Sequence, residues 1–334
     1  MSRRVHALLA ALALPVSVLV QDMATMPPSP AEADATEVEL VVAEVAPPAA
    51  DTRNGRDIYQ RFREGLADKE CASSSARWRQ HFATAPKRLA TGSDDVLPLF
   101  GYVVDALREA HLPTEYALIP FVESGYKPGA RSPGGPAGMW QFIAITARNH
   151  NVPVRAGYDG RLSPIDSTQA AVRYLKTLHG MFAGDWRLAV MAYNAGEYRI
   201  LGALRRTGQN ARNAKPETLT GLSGITHAYV QKLRALSCLF EQADDREDWL
   251  KALDRTVPVL GAHALPATAG NLDRWASARG LDPAAVRRMN PAFVDGRIAR
   301  SDRPLRVLAP MSAPAAAVGA GGATGTANTA GTPQ

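Results

Sequence analysis

Cysteine is scarce in this chain, since Cys71 and Cys238 are its only two among 334 residues. Two cysteines are too few for a cysteine-rich metal site, and the histidines show no paired metal-ligand spacing. The sequence therefore predicts neither a metal nor a cofactor. The same two residues leave a single possible disulfide, with two free and buried thiols as the alternative.

Dense blocks of positive charge are absent as well. The formal net charge of +6 is spread over many arginines, and the sequence has no glycine-rich phosphate loop and no aromatic RNA-binding signature. We therefore expect no nucleic-acid partner. A modest positive excess does suit an anionic polymer.

One long apolar run lies near the N-terminus, where Ser2-Arg3-Arg4 precedes a stretch from Val5 to Val20 without an acidic residue. A basic segment followed by an apolar one is typical of a secretory signal, so residues 1–21 are predicted to be a signal peptide or an N-terminal anchor. The run is short for a membrane-spanning helix. We expect an exported, periplasmic protein, either soluble or held at the membrane by an uncleaved N-terminal segment. Export favours the disulfide over free thiols.

Both ends of the chain have compositions that cannot bury a core. Residues 22–52 are rich in proline, alanine and glutamate, and residues 310–334 consist largely of alanine, glycine, threonine and proline. The first stretch is predicted to be a disordered linker and the second a disordered tail.

Apolar residues recur at helical spacing between Asp57 and Gln242. This pattern predicts an all-α domain of about eight to ten short helices over residues 53–250. One helix is predicted to have Pro113 in its first turn and to continue to Glu123, and Asp185 is the predicted N-cap of another. The glycines and prolines from 124 to 138 exclude regular helix there.

Residues 256–309 have a different pattern. They predict strands at Val257–Leu260 and Leu305–Leu308, and helices at Asn271–Arg279 and Pro283–Met289. The fold class predicted for the whole chain is therefore mainly α, with a small α+β module after the helical domain.

Glu123 is an ionisable residue at the end of an almost wholly apolar segment that begins at Leu118. In a helix it would continue the buried stripe formed by Tyr116, Ile119 and Pro120. Apolar surroundings and the negative end of the helix dipole both penalise the carboxylate and raise its pKa. A carboxyl group that keeps its proton near neutral pH can act as a general acid. A core glutamate paired with an arginine or with capping hydrogen bonds is the alternative.

Four short motifs follow one another around this residue. They are Glu123-Ser124, Gly138-Met139-Trp140-Gln141, Ala192-Tyr193-Asn194-Ala195-Gly196, and Tyr229 followed by Val230. Their order and approximate spacing over residues 95–245 resemble those of the family 1 lytic transglycosylases. The longer strings around Glu123 and Asn194 are most similar to the branch called membrane-bound lytic murein transglycosylase D.

This resemblance implies a lysozyme-like helical fold that cleaves the β-1,4 bond between N-acetylmuramic acid and N-acetylglucosamine in peptidoglycan. Glu123 matches the single acid/base of the family, which protonates the glycosidic oxygen and then takes the proton of the C6 hydroxyl to close a 1,6-anhydro ring. One carboxyl group then suffices, an exception to the usual scheme of two.

The resemblance also implies that other motif residues bind substrate. Ser124 belongs to the first motif, and Ser132 matches a serine that hydrogen-bonds the sugar near the cleaved bond, although it could be a turn residue before Pro133. Gln141 and Asn194 offer amide groups to the sugar, or alternatively cap helices. The remaining two positions, Tyr193 and Tyr229, would orient Glu123 or stack on a sugar ring, with aromatic packing as the alternative.

Two competing functions stay open at this point. A lysozyme-type hydrolase needs a second acid to activate water, and Glu197 is the candidate, although we interpret it as a solvated first-turn residue of the next helix. A non-catalytic protein that binds the cell wall is the other alternative. The module at 256–309 resembles a degenerate LysM repeat, for which glycan binding and purely structural packing are both open.

Overall fold

The computed structural model describes residues 51–71, 74–91, 95–266, 268–298 and 304–311. Helices dominate these residues, which confirms the predicted mainly α fold class. The helices are α1 (Gly55–Glu64), α2 (Ala76–His81), α3 (Ala85–Ala90), α4 (Val96–Glu109), α5 (Ile119–Glu123), α6 (Ala144–Asn149), α7 (Pro164–Met181), α8 (Trp186–Ala195), α9 (Glu197–Arg206), α10 (Gly224–Asp244), α11 (Glu247–Leu253), α12 (Leu272–Ser277) and α13 (Pro283–Met289). Short 3-10 helices occupy Thr114–Leu118, Gly160–Leu162, Pro216–Thr218 and Val294–Gly296.

The strands are short and form antiparallel pairs. They are β1 (Thr52–Asn54), β2 (Val154–Arg155), β3 (Tyr158–Asp159), β4 (Thr256–Pro258), β5 (Leu260–Ala264) and β6 (Arg306–Pro310). β1 pairs with β4, β2 with β3, and β5 with β6. The predicted signal peptide, together with residues 22–50 of the linker and 312–334 of the tail, lies outside the described residues.

Several helices begin where the sequence supplies a capping side chain. Asp185 accepts hydrogen bonds from the backbone N–H groups of Arg187 and Leu188, so it is the N-cap of α8 as predicted. Ser163 and Ser223 cap α7 and α10 in the same way. These caps satisfy N–H groups that the first helical turn leaves without a partner.

The helical core is built around α4, which buries one face along its whole length. Phe100, Val103, Val104 and Leu107 are fully buried, as the periodicity predicts. They belong to one apolar cluster with residues of α1, α5, α7, α8 and α10. Cys71 and Cys238 form a disulfide with Cα atoms 5.4 Å apart, which ties the segment before α2 to α10.

The α+β segment packs directly on this core. β1 and β4 join the start of the described chain to the start of the module, and Val257, Leu260, Met289 and Leu308 belong to the main apolar cluster. The predicted helix at Pro283–Met289 is confirmed as α13. The single strand predicted at Val257–Leu260 is wrong, because the chain breaks at Val259, whose backbone instead bonds Asp51 and Met311.

Candidate active site

Glu123 is the last residue of α5, a five-residue helix that follows the 3-10 helix at Thr114–Leu118. The single helix predicted from Pro113 to Glu123 is therefore wrong in detail. Pro120, in the first turn of α5, has no N–H group to donate, so a helix that ran through it would lose a hydrogen bond there. The irregular conformation predicted for residues 124–138 is confirmed.

The half-buried carboxyl group of Glu123 is held by α10. The hydroxyl group of Tyr229 donates a hydrogen bond to its Oε1 atom at 2.5 Å. Burial raises the pKa of Glu123, whereas this hydrogen bond and the positive charge of Lys232 act in the opposite direction. Because burial is the largest effect, the net shift is upward, which favours the protonated acid.

Tyr229 itself is buried, and burial raises the pKa of its phenol well above the usual value. The phenol therefore stays protonated and remains a hydrogen-bond donor to Glu123. Tyr229 thus contacts Glu123 through its hydroxyl group.

Ser124 connects α5 to the loop that follows it. Its hydroxyl group donates to the carbonyl oxygen of Met139 at 2.9 Å and accepts a hydrogen bond from the backbone N–H group of Lys127. The Ser124 hydroxyl group is thus hydrogen-bonded to main-chain groups of the protein.

Gly138 sits where this loop returns towards Glu123. Its φ angle is +81°, and a Cβ atom at this position would lie 1.7 Å from the carbonyl oxygen of Arg161. Only glycine fits there. The Arg161 side chain in turn donates to the carbonyl oxygens of Gly135 and Phe142, at 2.7 and 3.2 Å, and so fixes the backbone on both sides of Gly138.

Ser132 and Gln141 contact each other across the loop. The hydroxyl group of Ser132 donates to Oε1 of Gln141 at 2.7 Å, and Nε2 of Gln141 donates to the carbonyl oxygen of Gly138 at 2.8 Å. Ser132 is exposed and Gln141 is half-buried. The two residues thus form one polar group at the loop surface.

Tyr193 and Asn194 lie in the last turn of α8. Tyr193 donates its hydroxyl hydrogen to the carbonyl oxygen of Trp140 at 2.8 Å, so it does not orient Glu123 through a hydrogen bond as the sequence allowed. Its ring packs near Phe142 and Tyr174. Asn194 is exposed, and its Oδ1 atom accepts a hydrogen bond from Thr226 at 3.2 Å, which links α8 to the start of α10.

Glu197 is the first residue of α9, as predicted. Its Oε2 atom accepts a hydrogen bond from the Tyr174 hydroxyl group at 3.1 Å. Among the described residues, no group of three His, Cys, Asp or Glu side chains lies close enough together to hold a metal ion.

The sequence predicted no role for Lys232 or Arg161, and it indicated Trp140 only as part of its motif. Lys232 acts on Glu123, and its position three residues after Tyr229 on the same helical face could have indicated it. Trp140 donates its indole N–H to Thr168 at 3.0 Å inside the core. Arg161 supports the loop, but nothing in its sequence surroundings distinguishes it from a surface arginine.

Comparison with known proteins adds independent findings. Residues 104–216 match the family model described as "Transglycosylase SLT domain". The chain is 34% identical over 146 residues to membrane-bound lytic murein transglycosylase D of Escherichia coli (strain K12), a match that covers 44% of this chain and 32% of that protein. It is 41% identical over 83 residues to peptidoglycan transglycosylase gp16 of Escherichia phage T7, which covers 25% of this chain and 6% of that protein.

Among solved structures, the 70 kDa soluble lytic transglycosylase of Escherichia coli aligns with 59% of this chain and 32% of its own, at 19% identity and a TM-score of 0.37. In the sequence comparison, the chain matches about a third of the length of Escherichia coli transglycosylase D.

Proposed function

We propose that this chain, which belongs to the family 1 lytic transglycosylases through the SLT domain at residues 104–216, cleaves peptidoglycan. The bond cleaved is the β-1,4 linkage between N-acetylmuramic acid and N-acetylglucosamine, and the product is a 1,6-anhydromuramic acid end. The observation that carries the proposal is the hydrogen bond from Tyr229 to Glu123, a carboxyl group whose pKa burial raises.

In the first step Glu123 donates its proton to the glycosidic oxygen, and the bond from that oxygen to C1 of the muramic acid breaks. The N-acetyl group of the muramic acid supports the positive charge that develops at C1. A raised pKa favours the protonated form of Glu123 that this step requires.

In the second step the Glu123 carboxylate takes the proton of the C6 hydroxyl group, and the C6 oxygen closes a ring onto C1. Tyr229 and Lys232 both favour the carboxylate that exists between the two steps. The proton returns to Glu123, so the acid is regenerated without water.

The substrate-binding residues are proposed to lie on the surface beside Glu123. The paired side chains of Ser132 and Gln141 and the exposed amide of Asn194 offer donors and acceptors to sugar hydroxyl and N-acetyl groups. Tyr193 and Ser124 contribute mainly by fixing the backbone at Trp140 and Met139.

The domain assignment is part of the proposal. Residues 53–250 are assigned to a lysozyme-like transglycosylase domain, and residues 256–309 are assigned to a degenerate LysM-like module. Val257 and Leu308 of this module pack in the main apolar core, which favours a structural role for the module. The protein is proposed to act in the periplasm, free or held at the membrane by residues 1–21. No helix among the described residues has the length and apolar character needed to cross a bilayer.

The proposed function is tested by exposing purified peptidoglycan to the protein and to Glu123→Gln. Loss of a general acid typically costs about 100-fold or more in rate, so the variant should release almost no soluble fragments while keeping its circular dichroism and its binding to the wall. Undiminished cleavage by the variant would remove Glu123 from its role. Absence of cleavage by the unmodified protein would favour a non-catalytic wall-binding function.

A further inference from the structure

Lys232 lies on α10 three residues after Tyr229, so the two side chains share one face of the helix. That face points to the end of α5, because Tyr229 bonds Glu123 there. The charge of Lys232 acts on the Glu123 carboxyl group. None of the ion pairs found among the described residues involves Lys232, so no carboxylate partner offsets its charge there.

The partner of Lys232 is an aromatic ring. Its Nζ atom lies 4.9 Å from the ring centroid of Trp78, a half-buried residue of α2. A cation over an indole face is attracted to the ring, but its positive charge is not neutralised. This contact therefore fixes the position of the charge and leaves its field available to Glu123.

The placement of Trp78 is itself secured. Helix α2 packs along α10, and the disulfide between Cys71 and Cys238 joins the segment before α2 to α10 six residues beyond Lys232. His81, the last residue of α2, and Phe82, which follows it, both pack against the indole ring of Trp78. The ring is thus held along the helix that carries both Tyr229 and Lys232.

We propose that Trp78 and Lys232 are positioning residues for Glu123: the indole holds the ammonium group beside the acid, and the ammonium group stabilises the carboxylate left after proton transfer. The catalytic role of this carboxylate stabilisation rests on the proposed function, but the stabilisation itself does not. As a property of the folded protein it can be measured whether or not the chain cleaves peptidoglycan.

Other titratable groups surround Glu123 and have to be separated from Lys232. Tyr229 and Tyr193 face it from α10 and α8, and Lys127 lies on the following loop. Arg88 of α3 donates to the carbonyl oxygen of Gly125 at 2.8 Å. Glu115, in the preceding 3-10 helix, is a second buried carboxyl group whose pKa is raised to about 7, so its signal has to be removed from any titration.

The experiment is a ¹³C NMR titration of the glutamate side-chain carboxyl groups in the full chain carrying Glu115→Gln. The Glu123 signal is assigned by its loss in Glu123→Gln. Lys232→Met and Trp78→Leu should both move the Glu123 midpoint to higher pH, with a change in proton affinity of about tenfold for Lys232→Met. Lys232→Arg and Trp78→Phe, which keep the charge and a ring, should restore most of the original midpoint.

Arg77→Met is the matched control. Its guanidinium group also lies over the Trp78 ring, at 5.0 Å from the centroid, but it is not among the charges that act on Glu123. This variant should leave the midpoint unchanged. An unchanged midpoint in both Lys232→Met and Trp78→Leu, with folding retained, would overturn the proposal. If the Glu123 midpoint shifts in these variants but the unmodified protein does not cleave peptidoglycan, the positioning role of Trp78 and Lys232 is upheld and the proposed function is rejected.

Discussion

Tyr229 and Glu123 are 106 residues apart in the sequence, and the hydroxyl group of the first contacts a carboxyl oxygen of the second at 2.5 Å. The contact joins the end of a five-residue helix to the second turn of α10. It holds the Glu123 carboxyl group in place and partly offsets the effect of burial on its pKa. A hydrogen bond to a charged group contributes about 1.5–3 kcal/mol.

Tyr229→Phe should therefore lower the rate of peptidoglycan cleavage by about 10- to 100-fold. The Tyr229 hydroxyl group lowers the pKa of Glu123, so its removal raises that pKa further. Because the protonated acid is the active form, the alkaline limb of the pH–rate profile should move to higher pH. Tyr126→Phe is the control, since the Tyr126 hydroxyl group donates to the carbonyl oxygen of Ala117 and not to Glu123. A shift of the limb in the control and none in Tyr229→Phe would contradict the assignment.

Glu115 should make the stability of the fold depend on pH. It is buried, its Oε1 atom accepts hydrogen bonds from the N–H groups of Ala67 and Asp68, and its Oε2 atom has no hydrogen-bond partner among the described residues. Burial raises its pKa from the usual 4.5 to about 7. The folded state then binds the proton more tightly than the unfolded state, so stability is highest below the unfolded pKa and falls as pH rises through the folded one.

The contribution of Glu115 to the free energy of unfolding should decrease by up to about 3 kcal/mol across this range. Urea unfolding at about pH 4 and about pH 8 measures it, with Glu115→Gln as the comparison. The free energy of unfolding of the unmodified protein, relative to that of Glu115→Gln, should be lower at the higher pH. A difference that stays constant, or that grows in favour of the unmodified protein at high pH, would show that the sign is wrong.

Gly138→Ala should disrupt the loop beside Glu123. A side chain would meet the Arg161 carbonyl oxygen at 1.7 Å, and we expect a loss of about 3 kcal/mol or more in stability together with a large loss of cleavage. Gly135→Ala is the matched control. Gly135 also has a positive φ angle, but among the described residues no atom outside Gly135 and its two chain neighbours lies within 4 Å of a Cβ atom built there, so the substitution should cost only about 1–2 kcal/mol. Equal effects of the two substitutions on unfolding would count against the steric argument.

Glu197→Gln should leave cleavage within about twofold of the unmodified rate and should not change the products. The Glu197 carboxylate is bonded to Tyr174, and a glutamine oxygen can accept the same hydrogen bond. A lysozyme-type hydrolase with Glu197 as base would instead lose activity to the extent that Glu123→Gln does. Rates on the same peptidoglycan preparation distinguish the two outcomes.

The sequence predicted the family relationship, which the SLT domain match confirms, and it also predicted α13 and the Asp185 cap. These features depend on local signals: motif strings, apolar periodicity and a capping side chain next to its helix. The break at Val259 depends on pairing with Asp51 and Met311, which lie far away in the sequence.

Several further features could not be predicted from the sequence for the same reason. Glu115 gave no signal, because its burial depends on the segment at 67–68 that folds over it. The contact between Trp78 and Lys232 joins residues of two helices that no motif connects. Tyr193 shows the limit of a motif, since its hydroxyl group bonds Trp140 and not Glu123.

The central claim is that one carboxyl group, on Glu123, first gives a proton to the glycosidic oxygen and then takes one from the same sugar. Mass spectrometry of the muropeptides released from purified peptidoglycan tests this most directly. The account predicts 1,6-anhydro products. Fragments heavier than these by the mass of one water molecule would mean that water attacks C1, and would contradict it.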